Sequence, residues 1–220
     1  MHMEMNVKAA LLAHQATLVG DILLTGLQGQ SRMDYDFALN CTYLAKKQAD
    51  STYSSETQPG RWIDYYADVL WSHGWNRDQP AVEYVQPQFS GSVKQAWMRA
   101  ATSLLDPGQV AGVEAGFVTL EQRVDLLEKT KGLSGKAFDL KIVPVSYNPA
   151  GDMELVVTHV RFIKSSLNTR YLFWDISQAM NQLDIRARRL VISRRVLEAR
   201  RASVEKAIQN MSFNFEDHEL

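Results

Sequence analysis

Cys41, His73 and the carboxylates Asp64 and Asp68 are the residue types of a thiol hydrolase, and such groups need only meet in space, not in sequence. In that chemistry a thiolate attacks, a histidine moves the proton and an acid orients the imidazole. Cys41 nevertheless lies in a helical stretch without a local activating motif, so it reads first as a small packed residue. The five histidines, His2, His14, His73, His159 and His218, are scattered, and a single cysteine cannot complete a zinc cage with them. No metal site and no cofactor is therefore expected. The spacings of a phosphate-binding loop, a dinucleotide fold, a nucleophile elbow, a zinc protease and a C-x-x-C redox pair are all absent from the sequence. No catalytic residue is assigned. An enzyme of unfamiliar type, with His73 and His159 in a cleft between a helical layer and a sheet, is the alternative reading.

Binding chemistry is more visible than catalysis. Between Leu183 and Met211 eight basic residues face three acidic ones, and Arg186, Arg188, Arg194, Arg195 and Arg201 are candidates for a basic surface. From Ser51 to Ser90 the balance reverses, with two basic residues against five acidic ones. Opposite local charges suit self-association as well as polyanion binding. Arg186 and Arg188 share one face of a strand while Arg189 takes the other. With no recognised binding module and a pI near 6.5, nucleic acid is not the expected partner. The densest aromatic group is Trp62, Tyr65, Tyr66, Trp71 and Trp75; on a helix Trp62 and Tyr66 join the core arc, which leaves Tyr65 and Trp71 as surface candidates.

The elements that must carry these groups follow from periodicity. Val7 to about Gln28 has apolar residues on two adjoining helical arcs, and Tyr35 to Ala49 predicts a second helix. After a polar loop, Trp62, Ile63, Tyr66, Val69 and Leu70 define a third, closed by Gly74. Pro80 and Pro87 bracket an extended connection, and Ser92 caps a helix over Val93 to Leu105. Asp106, Pro107 and Gln109 form a capping-box variant that opens a further helix. Along it Val110, Val113, Phe117, Leu120, Val124 and Leu127 repeat at heptad spacing, the candidate seam for a homo-oligomer or a partner helix. Gly108, Gly112 and Gly116 interrupt that helix with a four-spaced stripe. They let another backbone approach, or else the stable helix starts nearer Phe117.

The period then changes to two. Phe138 to Tyr147 and Met153 to Ile163 predict a hairpin around Asn148 to Asp152, with Pro144 placing the first strand at an edge or bulge and the second covered on both faces. Arg170 to Ile176 and Leu183 to Ser193 complete about four antiparallel strands, and Arg194 to Met211 predicts a C-terminal helix. The expected fold is α+β: an N-terminal helical layer (1–132) on an antiparallel sheet (133–193), then a helix (194–211) and an acidic tail (212–220), all in one domain.

With 220 residues, 45% of them apolar, and a net charge of −1, the chain is large enough for a substantial core and unlike a disordered one. No signal peptide and no stretch of roughly 18 apolar residues is seen, which points to a soluble, cytoplasmic protein without a transmembrane segment. The glycosylation patterns at Asn40 and Asn210 fall in helices and carry no weight. The leading expectation is a non-enzymatic, self-associating interaction protein. A toxin-like protein that inserts into membranes after a conformational change ranks lower, because Arg99 and Glu114 interrupt the weakly polar path from Trp97 to Leu120.

Overall fold

Three 11-residue strands, β5 (Ala137–Tyr147), β6 (Met153–Ile163) and β7 (Gln182–Ile192), run antiparallel at the centre of the molecule. The computed structural model describes residues 10–11, 13–89, 91–123, 125, 137–163, 182–211 and 217–219. Before β5 in the chain come β1 (Gln15–Val19), β2 (Ile22–Gly26), α1 (Arg32–Thr52), α2 (Pro59–Ser72), β3 (Asn76–Arg77), β4 (Val82–Gln86), α3 (Val93–Ala101) and α4 (Pro107–Gln122). After β7 come α5 (Arg194–Gln209) and β8 (Asp217–Glu219). The sheet order is β3-β7-β6-β5-β2-β1-β8, with β4 also pairing along β7. The class is α+β, but the sheet is mixed, since β2 and β5 run parallel.

Residues 15–26 are a β-hairpin where the periodicity predicts a helix. Gly20, at φ 58°, fills the first position of a two-residue turn that closes Val19 against Ile22. Leu18, Val19, Ile22, Leu23 and Leu24 are all buried because both sides of the hairpin are covered, which erases the alternation that marks a strand. The helical layer is not single. α1, α2 and α5 cover one face of the sheet, while α3 and α4 cover the other. β6 is buried along most of its length, as expected of a strand with both faces covered. Pro144 sits in an interior strand rather than at an edge: its neighbours are β2, opposite Thr25, and β6, whose pairing with β5 stops at Ile142 and resumes at Val145. The segment from Pro80 to Pro87 contains β4. The expected strand at Arg170 to Ile176 lies outside the described residues.

The caps read from sequence are in place. Ser92 Oγ accepts from Gln95 N, and Asp106 and Gln109 close a reciprocal capping box, with Asp106 Oδ1 accepting from Gln109 N at 2.8 Å. α4 is continuous through its glycines. A Cβ at Gly112 would stand 3.2 Å from Leu27 Cδ2, and one at Gly116 would stand 3.2 Å from Thr25 Cγ2 and 3.5 Å from Ala16 Cβ. The stripe therefore lets the helix lie directly on the β1–β2 hairpin.

Substituting Gly116→Leu should force α4 off this hairpin and cost about 2 kcal/mol, the range for overpacking a filled core. Ala115→Leu, at an exposed neighbouring position, should change stability by less than about 0.5 kcal/mol. Urea unfolding of the two variants checks the contrast.

Candidate functional site

Strand register, not sequence proximity, assembles the densest group of charges. On the face beneath α1 and α2, Asp139, Arg161 and Asp184 stand side by side across the three strands. The next row is Lys141, His159 and Arg186, and Arg188 follows beside Val157. Further along the same face the rows turn apolar, with Val145, Leu155 and Leu190 and then Tyr147, Met153 and Ile192. The opposite face has the reverse order. Leu140, Val160 and Ile185, then Ile142 and Ala187 on either side of the buried Thr158, and Phe162 and Leu183 pack under α3 and α4, whereas Ser146, Glu154 and Arg189 lie at the other end. Each half of the three strands is thus amphipathic, with opposite sense.

The charged half is buried and tightly paired. Lys141, fully buried, places Nζ 2.8 Å from Asp139 and 2.5 Å from Asp21 in the β1–β2 turn, under the Trp62 ring at 4.8 Å. Lys46 of α1 joins Asp21 at 2.7 Å and Asp50 at 2.6 Å, and Trp62 Nε1 donates to Asp50. Asp139 also accepts from Ser55 Oγ and binds His159 Nε2. Burial by itself would raise the Asp139 carboxyl, but the neighbouring His159 and Lys141 outweigh it and hold the group well below the usual carboxylate range. Burial likewise works against charged Lys141, and Asp21 and Asp139 reverse it, so the amine stays protonated above its ordinary range. Ser55 donates to the acid rather than to the imidazole, so this Ser, His and Asp do not make a nucleophile with its base.

The basic stretch meets the acidic stretch inside the chain. Arg186 pairs with Glu83 and Asp184, Arg188 with Asp64 and Glu83, and Arg189 with Asp78 and Glu154. Arg194 and Arg201 both reach Asp34, a fully buried carboxylate at the start of α1 that also accepts from Tyr147. Burial opposes the charge of Asp34, but the hydrogen bonds from Tyr147, Arg201 and Arg194 prevail and lower its titration. Arg188 and Arg201 are buried, Arg186 and Arg194 are partly covered, and Arg195 is exposed.

Of the heptad residues, Val113, Phe117 and Leu120 are buried in the chain's own core and Val110 is half-buried. Val124 and Leu127 lie outside the described residues. Tyr65 packs edge-on against Tyr53, with ring centres 5.6 Å apart, and Trp71 is 64% exposed. Cys41 is buried in α1, where burial pushes its thiol up to about 12. Asp64 and Asp68 are engaged by Arg188 and Arg77, and His73 caps the far end of α2 from Trp62, beside which His159 lies. Among the described residues no hydrogen bond or ion pair joins Cys41, His73, Asp64 and Asp68 to one another. No group of residues arranged to hold a metal ion occurs among the described residues. The site residues that sequence reading missed are Asp21, Asp139 and Lys141. For Asp139 and Lys141 the signal was that charges on β5 oppose a strand whose two faces were both expected to be covered.

No family model matches the chain and no curated protein does so. Among solved structures it is similar to a protein titled delta-endotoxin, with a TM-score of 0.52 at 11% identity over 79% of this chain and 80% of that one. Lesser similarity reaches the activated Cyt2Ba monomer from Bacillus thuringiensis subsp. israelensis (TM-score 0.37, 14% identity, 55% of this chain and 73% of that one). It also reaches the Evf virulence factor (TM-score 0.41, 8% identity, 94% of this chain and 86% of that one). The first of these shows a shared fold.

Two outcomes follow from the buried groups. Cys41 should resist iodoacetamide at pH 8 in the folded protein and react on unfolding, read by intact mass. Asp139, lowered in the folded state, stabilises the fold above the ordinary carboxylate value of about 4 and loses that contribution as pH falls through its native value. Asp139→Asn should therefore cost about 3 kcal/mol at neutral pH and flatten the acid limb of the stability profile, measured by urea unfolding between neutral and strongly acidic pH.

Proposed function

We propose that this chain is a toxin-like protein that acts on membranes as an assembly of several copies, its long-stranded sheet being the part that enters the bilayer. The observation that carries the reading is the divided character of β5, β6 and β7. Over one half of their length one face is apolar and the other charged, the pattern of a strand lying between lipid and water. From Phe162 to Thr158 that face, apolar but for Thr158 itself, extends roughly 13 Å along the strand at the usual rise, and the next row sets Val156 beside Arg189. In the closed fold both faces are hidden, the apolar one by α3 and α4 and the charged one by α1 and α2.

A tilted strand needs roughly 9–11 residues to cross a bilayer, and β5, β6 and β7 have 11 each, of which the half nearer Phe162 carries the lipid-and-water pattern. No helix of the described residues is long and apolar enough for that task. Three strands fall short of the roughly eight in the smallest membrane barrels, so several copies would have to join. Self-association, the leading expectation from sequence, thus enters as part of the membrane reading. The fold shared with a protein named as a toxin adds to it.

Calcein-loaded liposomes test the proposal. The protein should release dye with a rate that rises more steeply than its concentration. The Cβ separation of 3.5 Å between Gly116 and Ala16 fits a disulfide, so an Ala16→Cys/Gly116→Cys variant should fasten α4 to β1. Release should be lost when that variant is oxidised and return on reduction. Intact liposomes at acidic and neutral pH would overturn the reading.

A further inference from the structure

Resting on the membrane reading, we infer that the closed molecule docks on anionic lipid through the end of its helical layer where α1, α2 and α5 meet. Trp71 is the interfacial anchor there, and Arg195, Arg200 and Lys206 are the contacts to headgroup phosphates. α1 and α2 lie antiparallel, since Trp75 just past α2 stacks on Phe37 near the start of α1, while Trp62 near the start of α2 donates to Asp50 near the end of α1. The start of α1 and the end of α2 therefore share one end of the layer, and each leaves a large apolar side chain in water: Met33 is 42% exposed and Trp71 64%. α5 joins them. Arg201 Nη1 donates to Met33 O, and the Arg200 side chain passes 3.5 Å from where a Cβ on Gly74 would stand. Burial first and Arg200 second hold the His73 imidazole below its ordinary range, so at neutral pH the charge at this point is that of Arg200.

The cations on the outside of α5 have nothing to neutralise them. Arg195, Arg200 and Lys206 are exposed, and their side chains make no hydrogen bond or ion pair among the described residues. The carboxylates at this end are engaged elsewhere: Asp34 and Glu198 by Arg194 and Arg201, Asp36 by Arg32, and Asp68 by Arg77. Glu205 is the exposed exception, and helical spacing sets it on the flank that holds Glu198, about two turns away. Arg195 and Lys206 stand about three turns apart on the outward side with only Ala199 and Ala202 between them. An exposed indole beside unpaired cations matches the layering of a lipid surface, where the ring rests at headgroup level and the phosphates attract the cations. The pairing of Trp71 with aliphatic Met33 favours lipid over a nucleic acid, whose bases stack on aromatic rings. The patch belongs to the layer that covers the charged half of the strands, so it holds that layer at the surface when the strands part from it.

Co-sedimentation with phosphatidylcholine vesicles, with and without phosphatidylglycerol, measures the docking. The unaltered protein should bind the anionic vesicles about 10-fold more tightly, and high salt should remove the difference. Arg195→Gln/Arg200→Gln should weaken that binding by about 10-fold, and Trp71→Ala by roughly as much. Arg61→Gln at the start of α2 and Val118→Ser on α4, both at exposed positions, should leave it unchanged. Equal binding to the two kinds of vesicle, no loss in the α5 and Trp71 variants, or an equal loss in Arg61→Gln overturns the inference. The lipid preference of the unaltered protein can overturn it even if a variant fails to fold. Tighter binding of an RNA oligomer than of the anionic vesicles also overturns it. Dye release that persists in any of these cases leaves the membrane reading standing. Docking that depends on the patch but gives no release upholds the patch and overturns entry of the sheet, and absence of both binding and release overturns both.

Discussion

A fully buried amine, Lys141 Nζ, held between Asp139 and Asp21 and roofed by Trp62, is the constraint to which the charged half of the fold answers. An ammonium removed from water is tolerable only with counter-charges at contact distance, and β5 itself supplies one of the two. The other comes from the tight turn at Gly20 and Asp21, which explains why residues 15–26 must be a hairpin hydrogen-bonded beside β5: Lys141 N also donates to Asp21 O at 2.8 Å. Asp21 then recruits Lys46, Lys46 recruits Asp50, and Asp50 accepts from the indole that closes the roof. One buried charge thereby fixes the relative placement of a turn, two helices and a strand.

Such a network is a poor way to gain stability. Apolar residues of equal volume hold a core at least as well, while loss of one partner leaves a stranded charge. The row therefore holds only as a complete set, beside an ordinary apolar core. The two cores are offset along the strands. Val143, Val145, Leu155 and Leu190 anchor α1, α2 and α5 at one end of the strands, and Leu140, Val160, Ile185 and Phe162 anchor α3 and α4 at the other on the opposite face. Each helical layer is seated on half of the sheet, so neither depends on the other for its apolar seat.

How much of this could be read without coordinates depended on whether a segment has one face exposed. α2 and α4 were legible because their outer faces are polar and their ends carry chemical stops: Gly74 at φ 102°, and the Asp106 box. The β5–β6 hairpin was legible from its turn residues, which the Asn148 side chain organises by accepting from Ala150 N and Asp152 N. β1 and β2 were not, since burial on both sides leaves a continuous apolar run that helical spacing fits equally well. The site suffered from the converse difficulty. In Asp139-Leu140-Lys141-Ile142 the alternation of charge and apolar residue is that of a half-solvated strand, and only the burial of β6 on both faces contradicts it.

Charge segregation along the chain carried a misleading implication of its own. The excess of basic residues after Leu183 and of acidic residues between Ser51 and Ser90 has the form of two complementary surfaces. Their meeting place is within the chain: Asp64 of α2 reaches Arg188 across the packed layers, while Asp78 and Glu83 reach Arg189 and Arg186 from beside β7 in the sheet. Closed copies therefore have little of this attraction left to offer one another, and the apolar heptad side chains Val113, Phe117 and Leu120 are likewise consumed by the chain's own sheet. Association driven by either set would first require these contacts within the chain to separate.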